Sequence, residues 1–379
     1  GEQVRMNTAT RTLGTLVVLG AFAAALFWAL RDGKVEKQTA QEQAEIASAE
    51  PLKGLIAVDA EPFFKDERVQ KVLAAHKLPV QVARVGSRDM ASKVTGSGGP
   101  DFFLSSGVVA ANMILDAARR TKINATQSSP FHTPLVVASW EPIAKILVAN
   151  QMAKANAAGY YELDMAALTK AMLAKQRWKD LKASAAYDVS RSVLVSTTDI
   201  RRSNSAAMYL ALTSQALSGE VVTDRAAAQQ QAAQLAELFK RQGYQENYVN
   251  GAFDDYLSIG MGKTPMAFIY ENQMLAHALK NGVRKDMVLL VPQPTIVNKV
   301  VWVAMNERAK RLGELLATHK ELQAVALELG FRMGDPAAFA AAAQRAGLAV
   351  DLQLNNVVDP PSFELMFEMI DVVSREMNQ

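Results

Sequence analysis

The chain has 379 residues, with 41 Lys and Arg against 38 Asp and Glu, a formal net charge of +3. So weak a balance excludes a nucleic-acid partner held by a basic field, and no dense Lys/Arg run interleaved with aromatics is present. Half of the residues are hydrophobic, enough core for two or three compact units, and the lack of cysteine excludes disulfides, thiolate metal sites, cysteine nucleophiles and a lipid-modified N-terminal Cys. The four histidines, His76, His132, His277 and His319, show no ligand spacing, so neither a metal nor a cofactor is expected.

Residues 1–11 form a short polar tail. Thr12 to Leu30 is uncharged and apolar, and its nineteen residues span about 28 Å as a helix, enough for a bilayer core. A cleaved signal peptide is the competing reading, but its apolar run is shorter and a small-x-small site follows it. Here the run is full length and ends Leu26-Phe27-Trp28-Ala29-Leu30 before Arg31, with Trp28 at the expected interface. The expectation is therefore an uncleaved single-pass anchor in the cytoplasmic membrane, contacting the lipid bilayer through 12–30, with the bulk of the chain facing the periplasm. Residues 31–52, rich in Gln, Glu, Lys and Ala, read as a stalk.

The globular part begins at Lys53. Leu55 to Val58, Val80 to Val85 and Asp101 to Leu104 read as strands, separated by a helix over Asp66–His76 and another carrying Met90 and Val94. This alternation predicts a parallel α/β sheet, in which ligands collect at the carboxyl ends of strands. Those ends carry Asp59, then Ser87 with Arg88, then Ser105 with Ser106. Thr133 to Ser139 is a further strand, Glu141-Pro142 opens a helix, and Leu163 to Leu181 reads as an amphipathic helix pair.

Val193 to Val195 reads as a buried strand. It is followed by a polar loop and by Ser203, Asn204 and Ser205, three N-cap residue types opening an apolar helix. Such a helix start offers free N–H groups and the positive end of a dipole to an anion. Helices follow over Ala226–Gly243 and Phe253–Ile259, then a strand over Met266–Glu271, strands at Met287–Val291 and Lys299–Ala304, and helices to Leu329 and over Asp335–Gly347. Ser362 caps a last helix with Phe363, Met366, Phe367 and Ile370 on one face, a stripe that reads as core. Gly260 to Thr264 is not a phosphate loop, because the glycine the motif needs is Leu257. Glu141, Asp199 and Glu271 are the acids nearest to a catalytic reading, but no paired carboxylate or nucleophile–base motif accompanies them, so an enzyme is not expected.

Several short motifs in order then carry a resemblance. They are Gly86-Ser87-Arg88, Pro100-Asp101 with Ser105-Ser106, Thr133 to Val137, Trp178-Lys179-Asp180-Leu181, Thr198-Asp199 with Ser203-Asn204-Ser205, Tyr270-Glu271, Pro292 with Pro294, and Gly330-Phe331-Arg332. Across Gly54 to Arg332 the chain resembles the class II periplasmic solute-binding proteins of the sulfate/molybdate type. The resemblance implies two α/β lobes, 53–138 with 296–379 and 139–295, joined by crossover strands around a ligand cleft that closes by a hinge. It implies ligand contacts from Ser87, Arg88, Ser105, Ser106, Thr133, Ser203, Asn204, Ser205 and Tyr270, with Arg88 or Arg202 as counter-charge. The expected function is binding of a small (oxy)anion and transfer of ligand or signal to a membrane-protein partner. Ala206, where the family often has glycine, the anchor and the extension beyond Arg332 favour an alternative: a ligand-free structural subunit of a membrane-associated complex.

Overall fold

The computed structural model describes residues 8–242 and 251–379, with the side chains of 8–20, 22, 35 and 47 outside that description. Two compact units separate: the first helix with Leu73–Pro79, and Leu52–Val72 with Val80–Gln379.

Helix α1, Thr8–Ser48, is a single helix of 41 residues that merges the expected anchor and stalk. No helix among the described residues is long and apolar enough to cross a membrane. The first half of the expected span, through Gly20, lies outside the described side chains. The expected transmembrane helix over 12–30 is therefore not found among the described residues. The described part of the run is exposed at Leu26, Phe27, Trp28 and Leu30, and the Arg31 guanidinium lies 5.3 Å from the Trp28 ring centre.

The second unit is built on a nine-stranded mixed sheet. Its strands are β1 Leu52–Ile56, β2 Val80–Arg84, β3 Phe102–Ser106, β4 Thr126–Trp140, β5 Ala153–Ala155, β6 Tyr161–Asp164, β7 Ala267–Tyr270, β8 Met287–Gln293 and β9 Val297–Ala304. The helices after α1 are α2 Glu61–Lys65, α3 Glu67–Ala75, α4 Val108–Arg120, α5 Glu141–Ala149, α6 Met165–Leu173, α7 Asn204–Ser218 and α8 Arg225–Lys240. They continue with α9 Gly251–Ser258, α10 Glu271–Asn281, α11 Glu307–Thr318, α12 Lys320–Glu328, α13 Pro336–Ala346 and α14 Phe363–Met377.

The expected α/β fold in two lobes is met. In the first lobe β2, β1 and β3 run parallel, and β9 lies antiparallel beside β3. Strand β4 then passes from one lobe to the other. Up to Pro134 it pairs with β9, and from Leu135 it pairs with β7, and from Val137 also with β8. β6 and β5 complete the second lobe. A single fifteen-residue strand shared by two sheets requires a change of face, and a register shift between Ser128 and Phe131 marks the irregularity. Phe102 stacks on Trp302 at 4.2 Å in the first lobe, and Tyr209 packs on Phe268 at 5.0 Å in the second. All four are buried, and aromatic burial of this kind dominates core energetics.

Three local expectations are corrected. Val193 to Val195 is not a ladder strand: Val193 N donates to Gln176 O and Ser196 N to Met266 O, so the segment wedges beside β7 through single bridges. Both valines are buried, which is why the sequence looked like a strand. The stretch after Gly86 forms only two 3-10 turns, Ser87–Asp89 and Ala91–Lys93. Leu163 to Leu181 holds one α-helix, α6, and a 3-10 turn at Trp178–Asp180.

The tail beyond Arg332 belongs to both lobes. Helix α14 packs along α8 and reaches α4 and α7. Its apolar face buries Met366, Met369 and Val373, while Glu368 accepts from Gln229 Nε2 at 2.6 Å and Glu376 meets Lys240 at 3.4 Å.

Candidate functional site

A cavity of about 560 Å3 lies between the lobes at the carboxyl ends of β1, β2 and β3. Ser87, Arg88 and Ser106 line it from the first lobe, and Ser203 and Asn204 from the second. Two helices start at its border. α4 begins after Gly107, with Val109 and Ala110 on the wall, and α7 begins at Asn204, with Ala207 on the wall. Two helix N-termini converging on one space favour negative charge there. The lining carries Arg84, Arg88, Arg201 and Arg202 against Asp59 and Asp89, so the net side-chain charge is also positive.

Ser203 is the N-cap of α7, its Oγ accepting from Ala206 N at 3.3 Å. Thr198 Oγ1 donates to Ser203 Oγ, and Ser205 Oγ lies 2.8 Å from Ser203 Oγ and 2.9 Å from Thr198 Oγ1. This closed triangle of hydroxyls, all buried, fixes the helix start from behind. It satisfies Ser203 and Ser205 without a ligand. The main-chain N–H groups of Asn204 and Ser205 meet no acceptor among the described residues and stay open.

Asn204 is the polar hub. Its Nδ2 donates to Tyr270 Oη at 2.9 Å and Asn298 Oδ1 at 3.0 Å, with Ser106 Oγ at 3.5 Å. Asn298 Nδ2 donates to Ser106 Oγ at 3.1 Å, and Ser106 N donates to Ser87 Oγ at 3.0 Å. Gly107 makes the hub possible. Its φ is +92°, and a Cβ there would stand 2.9 Å from Asn204 Oδ1.

Arg88 ties the lobes together. Its Nη1 donates to Ile200 O at 2.7 Å and its Nη2 to Ser203 O at 2.9 Å. Burial pulls this guanidinium down to about 10, against the attraction of Asp199, Tyr270 and Asp89. Asp199 is itself buried. Desolvation pushes its carboxyl up, but two hydrogen bonds from the Arg201 guanidinium, each 2.9 Å, outweigh that and hold it below the usual carboxylate range.

Of the nine expected ligand residues, the structure brings Ser87, Arg88, Ser106, Ser203 and Asn204 to the cavity and sets four away from its wall. Ser105 is buried with Oγ on Gly107 O at 3.2 Å. Thr133 Oγ1 accepts from Asn272 N at 3.0 Å and so holds the start of α10. Ser205 sits in the hydroxyl triangle, and Tyr270 reaches the cavity only through Asn204. Sequence reasoning did not place Asn298, Arg84, Arg201 or the α14 residues Met366, Phe367 and Ile370 at the site. It noted Asp59 only as a strand-end residue. Burial raises the Asp59 carboxyl above its ordinary value, against its own backbone N–H and the Ser106 hydroxyl. Its Oδ1 is shielded from solvent with no hydrogen-bond partner among the described residues.

No family model and no curated protein matches the chain. Solved structures similar to it include the sulfate-binding protein SubI from Mycobacterium tuberculosis H37Rv, at 16% identity and TM-score 0.46, covering 78% of this chain and 90% of that one. The periplasmic molybdate-binding protein of Azotobacter vinelandii is 11% identical, at TM-score 0.42, covering 75% of this chain and 100% of that one. An ABC transporter structure from Clostridium perfringens ATCC 13124 is 13% identical, covers 86% of this chain and 100% of that one, and has a TM-score of 0.52. That last likeness shows a shared fold.

Proposed function

We propose that this chain is a two-lobe solute-binding protein, not an enzyme, that holds a small anion through its oxyanion group in the cleft between the lobes. The observation that carries this reading is the convergence of two helix starts, α4 and α7, on a cavity lined by four arginines and two aspartates. Fixed dipoles and neutral donors replace the water around a buried anion at little reorganisation cost. Open N–H groups at Asn204 and Ser205, and the Ser87 and Ser106 hydroxyls at the lobe boundary, are the contacts we assign to the ligand. Arg202, exposed on the cavity lining, supplies the counter-charge. We further propose that the apolar run from Thr12 to Leu30 anchors the chain, that the globular part is extracytoplasmic, and that lobe closure hands ligand or signal to a membrane partner.

Thermal unfolding of the full chain in non-ionic detergent against a panel of anions tests the reading. A ligand at 100 times its Kd adds about 2.7 kcal/mol, a rise of several degrees in Tm. Arg202→Ala lowers the shift with little change in the ligand-free Tm. No shift with any anion defeats the reading and turns attention to a ligand-free assembly subunit.

A further inference from the structure

The cavity is larger and less polar than a bare tetrahedral ion requires. Such an ion displaces about as much volume as two or three waters, each about 30 Å3, whereas the space between the lobes measures about 560 Å3. One wall is apolar, formed by Val109 and Ala110 of α4, Ala207 of α7, and Phe367 and Ile370 of α14. An inorganic oxyanion gains nothing from these groups. An aliphatic or aromatic portion of a ligand does, by leaving water against them.

Asp59 supplies the second and independent observation. It borders the cavity from the end of β1, yet one of its oxygens is shielded from solvent and unpaired among the described residues. A buried carboxylate oxygen without a donor is costly, and native structures rarely leave one so. A fully deprotonated anion brings no donor to this oxygen. The partner that satisfies it carries a hydroxyl or an ammonium. Beside this carboxylate, through the Ser106 hydroxyl that lies between Asp59 and Asn204, the open N–H groups at the start of α7 call for an acceptor, as does Arg202 on the lining. Adjoining parts of the site therefore ask for opposite hydrogen-bonding characters, and the lining also carries apolar surface.

We propose that the cleft binds a small organic acid that carries a hydroxyl or ammonium donor and an apolar body, with its acid group at the start of α7, its donor on Asp59 and its body against α14. This rests on the reading of the cleft as an anion site and names the ligand class for it. Helix α14 is then part of the binding site and not only a cover for α8.

The test is isothermal titration of the full chain in non-ionic detergent with L-leucine, L-threonine, L-lactate and L-malate, beside sulfate and molybdate. At least one of the four organic acids binds, and the two inorganic ions do not. Asp59→Asn removes the acceptor charge while keeping the shape, and weakens the bound organic acid at least tenfold with the Tm retained. Phe367→Ser trims the wall of a half-buried helix face, and weakens L-leucine and L-lactate more than the smaller, wall-independent glycolate. Binding of sulfate or molybdate with silence from all four organic acids overturns the inference and leaves the anion reading standing. Silence from every compound overturns both. Organic-acid binding that is unchanged in Asp59→Asn also overturns the inference, because the donor then lies elsewhere.

Discussion

Replacing Arg88 by Met tests whether one side chain holds the lobes together. The thioether keeps the stem that fills the boundary but removes two charge-assisted bonds, to Ile200 O and Ser203 O. Each such bond contributes about 1.5–3 kcal/mol, so the pair gives about 3–6 kcal/mol. Release of the buried guanidinium offsets a substantial part, since burial already depresses it to about 10. A net loss of about 2 kcal/mol shifts the balance between joined and separated lobes by roughly 30-fold. The chain contains no cysteine, so spin labels at Lys93→Cys and Lys170→Cys, exposed positions on the two lobes, report the interlobe distance cleanly. The Met variant gives a longer and broader distance distribution than the parent, and ligand restores the parent distribution at higher concentration. Arg88→Lys recovers only part, because a single ammonium does not match the fork that reaches two carbonyls. An unchanged distance distribution, with unchanged affinity, refutes the reasoning and makes Arg88 a bystander.

The buried pair of Glu271 and Arg332, bonded at 2.8 and 2.6 Å, anchors the start of α10 to the segment after α12. Arg332→Met strands the Glu271 carboxylate and destabilises the fold by about 3–5 kcal/mol, measured by urea unfolding, while the double variant with Glu271→Leu recovers most of that loss. Burial already raises the Glu271 carboxyl despite Arg332. A raised folded-state pKa favours the fold below the unfolded value near 4.5 and is lost as pH climbs through the folded value, so the stability deficit of Arg332→Met shrinks on acidification. Asp199 has the opposite sign. Its depressed pKa gives stability above the unfolded value near 3.8 that disappears as pH falls through the folded value, and Arg201→Gln, removing a half-exposed partner, costs about 1 kcal/mol at pH 7 and progressively less as pH falls below 3.8. Gly107→Ala forces a Cβ toward Asn204 Oδ1 at φ +92° and lowers stability by about 1–3 kcal/mol, visible as a drop in Tm. Ser203→Ala removes the α7 cap and costs about 1 kcal/mol, again read from unfolding midpoints; no loss there contradicts the capping geometry.

Local chemistry was legible where it depends on neighbours in sequence. Ser203, Asp335 and Ser362 announced helix starts, and each accepts the hydrogen bonds its position requires. The alternation of strands and helices announced an α/β sheet, which the parallel pairs of β1 with β2 and β3 bear out. Val193 to Val195 misled because burial selects β-branched residues whether or not a ladder forms. The turns after Gly86 misled because apolar Met90 anchors a core position without a helix around it.

The sequence by itself settled the class of fold, the caps, and the strand ends where small polar residues collect, because each is a property of a few consecutive residues. Only the tertiary structure decided which of those polar groups face a cavity. Ser205 and Thr133 share the chemistry of Ser87 and Ser106, but they lie off the cavity wall, bonded to Ser203 and to the α10 backbone. Asn298 meets Asn204 across 94 residues of chain, and Phe367 reaches the cleft from the far end of the sequence. Such contacts arise from how two lobes and a final helix pack, and no local pattern of residue types encodes them.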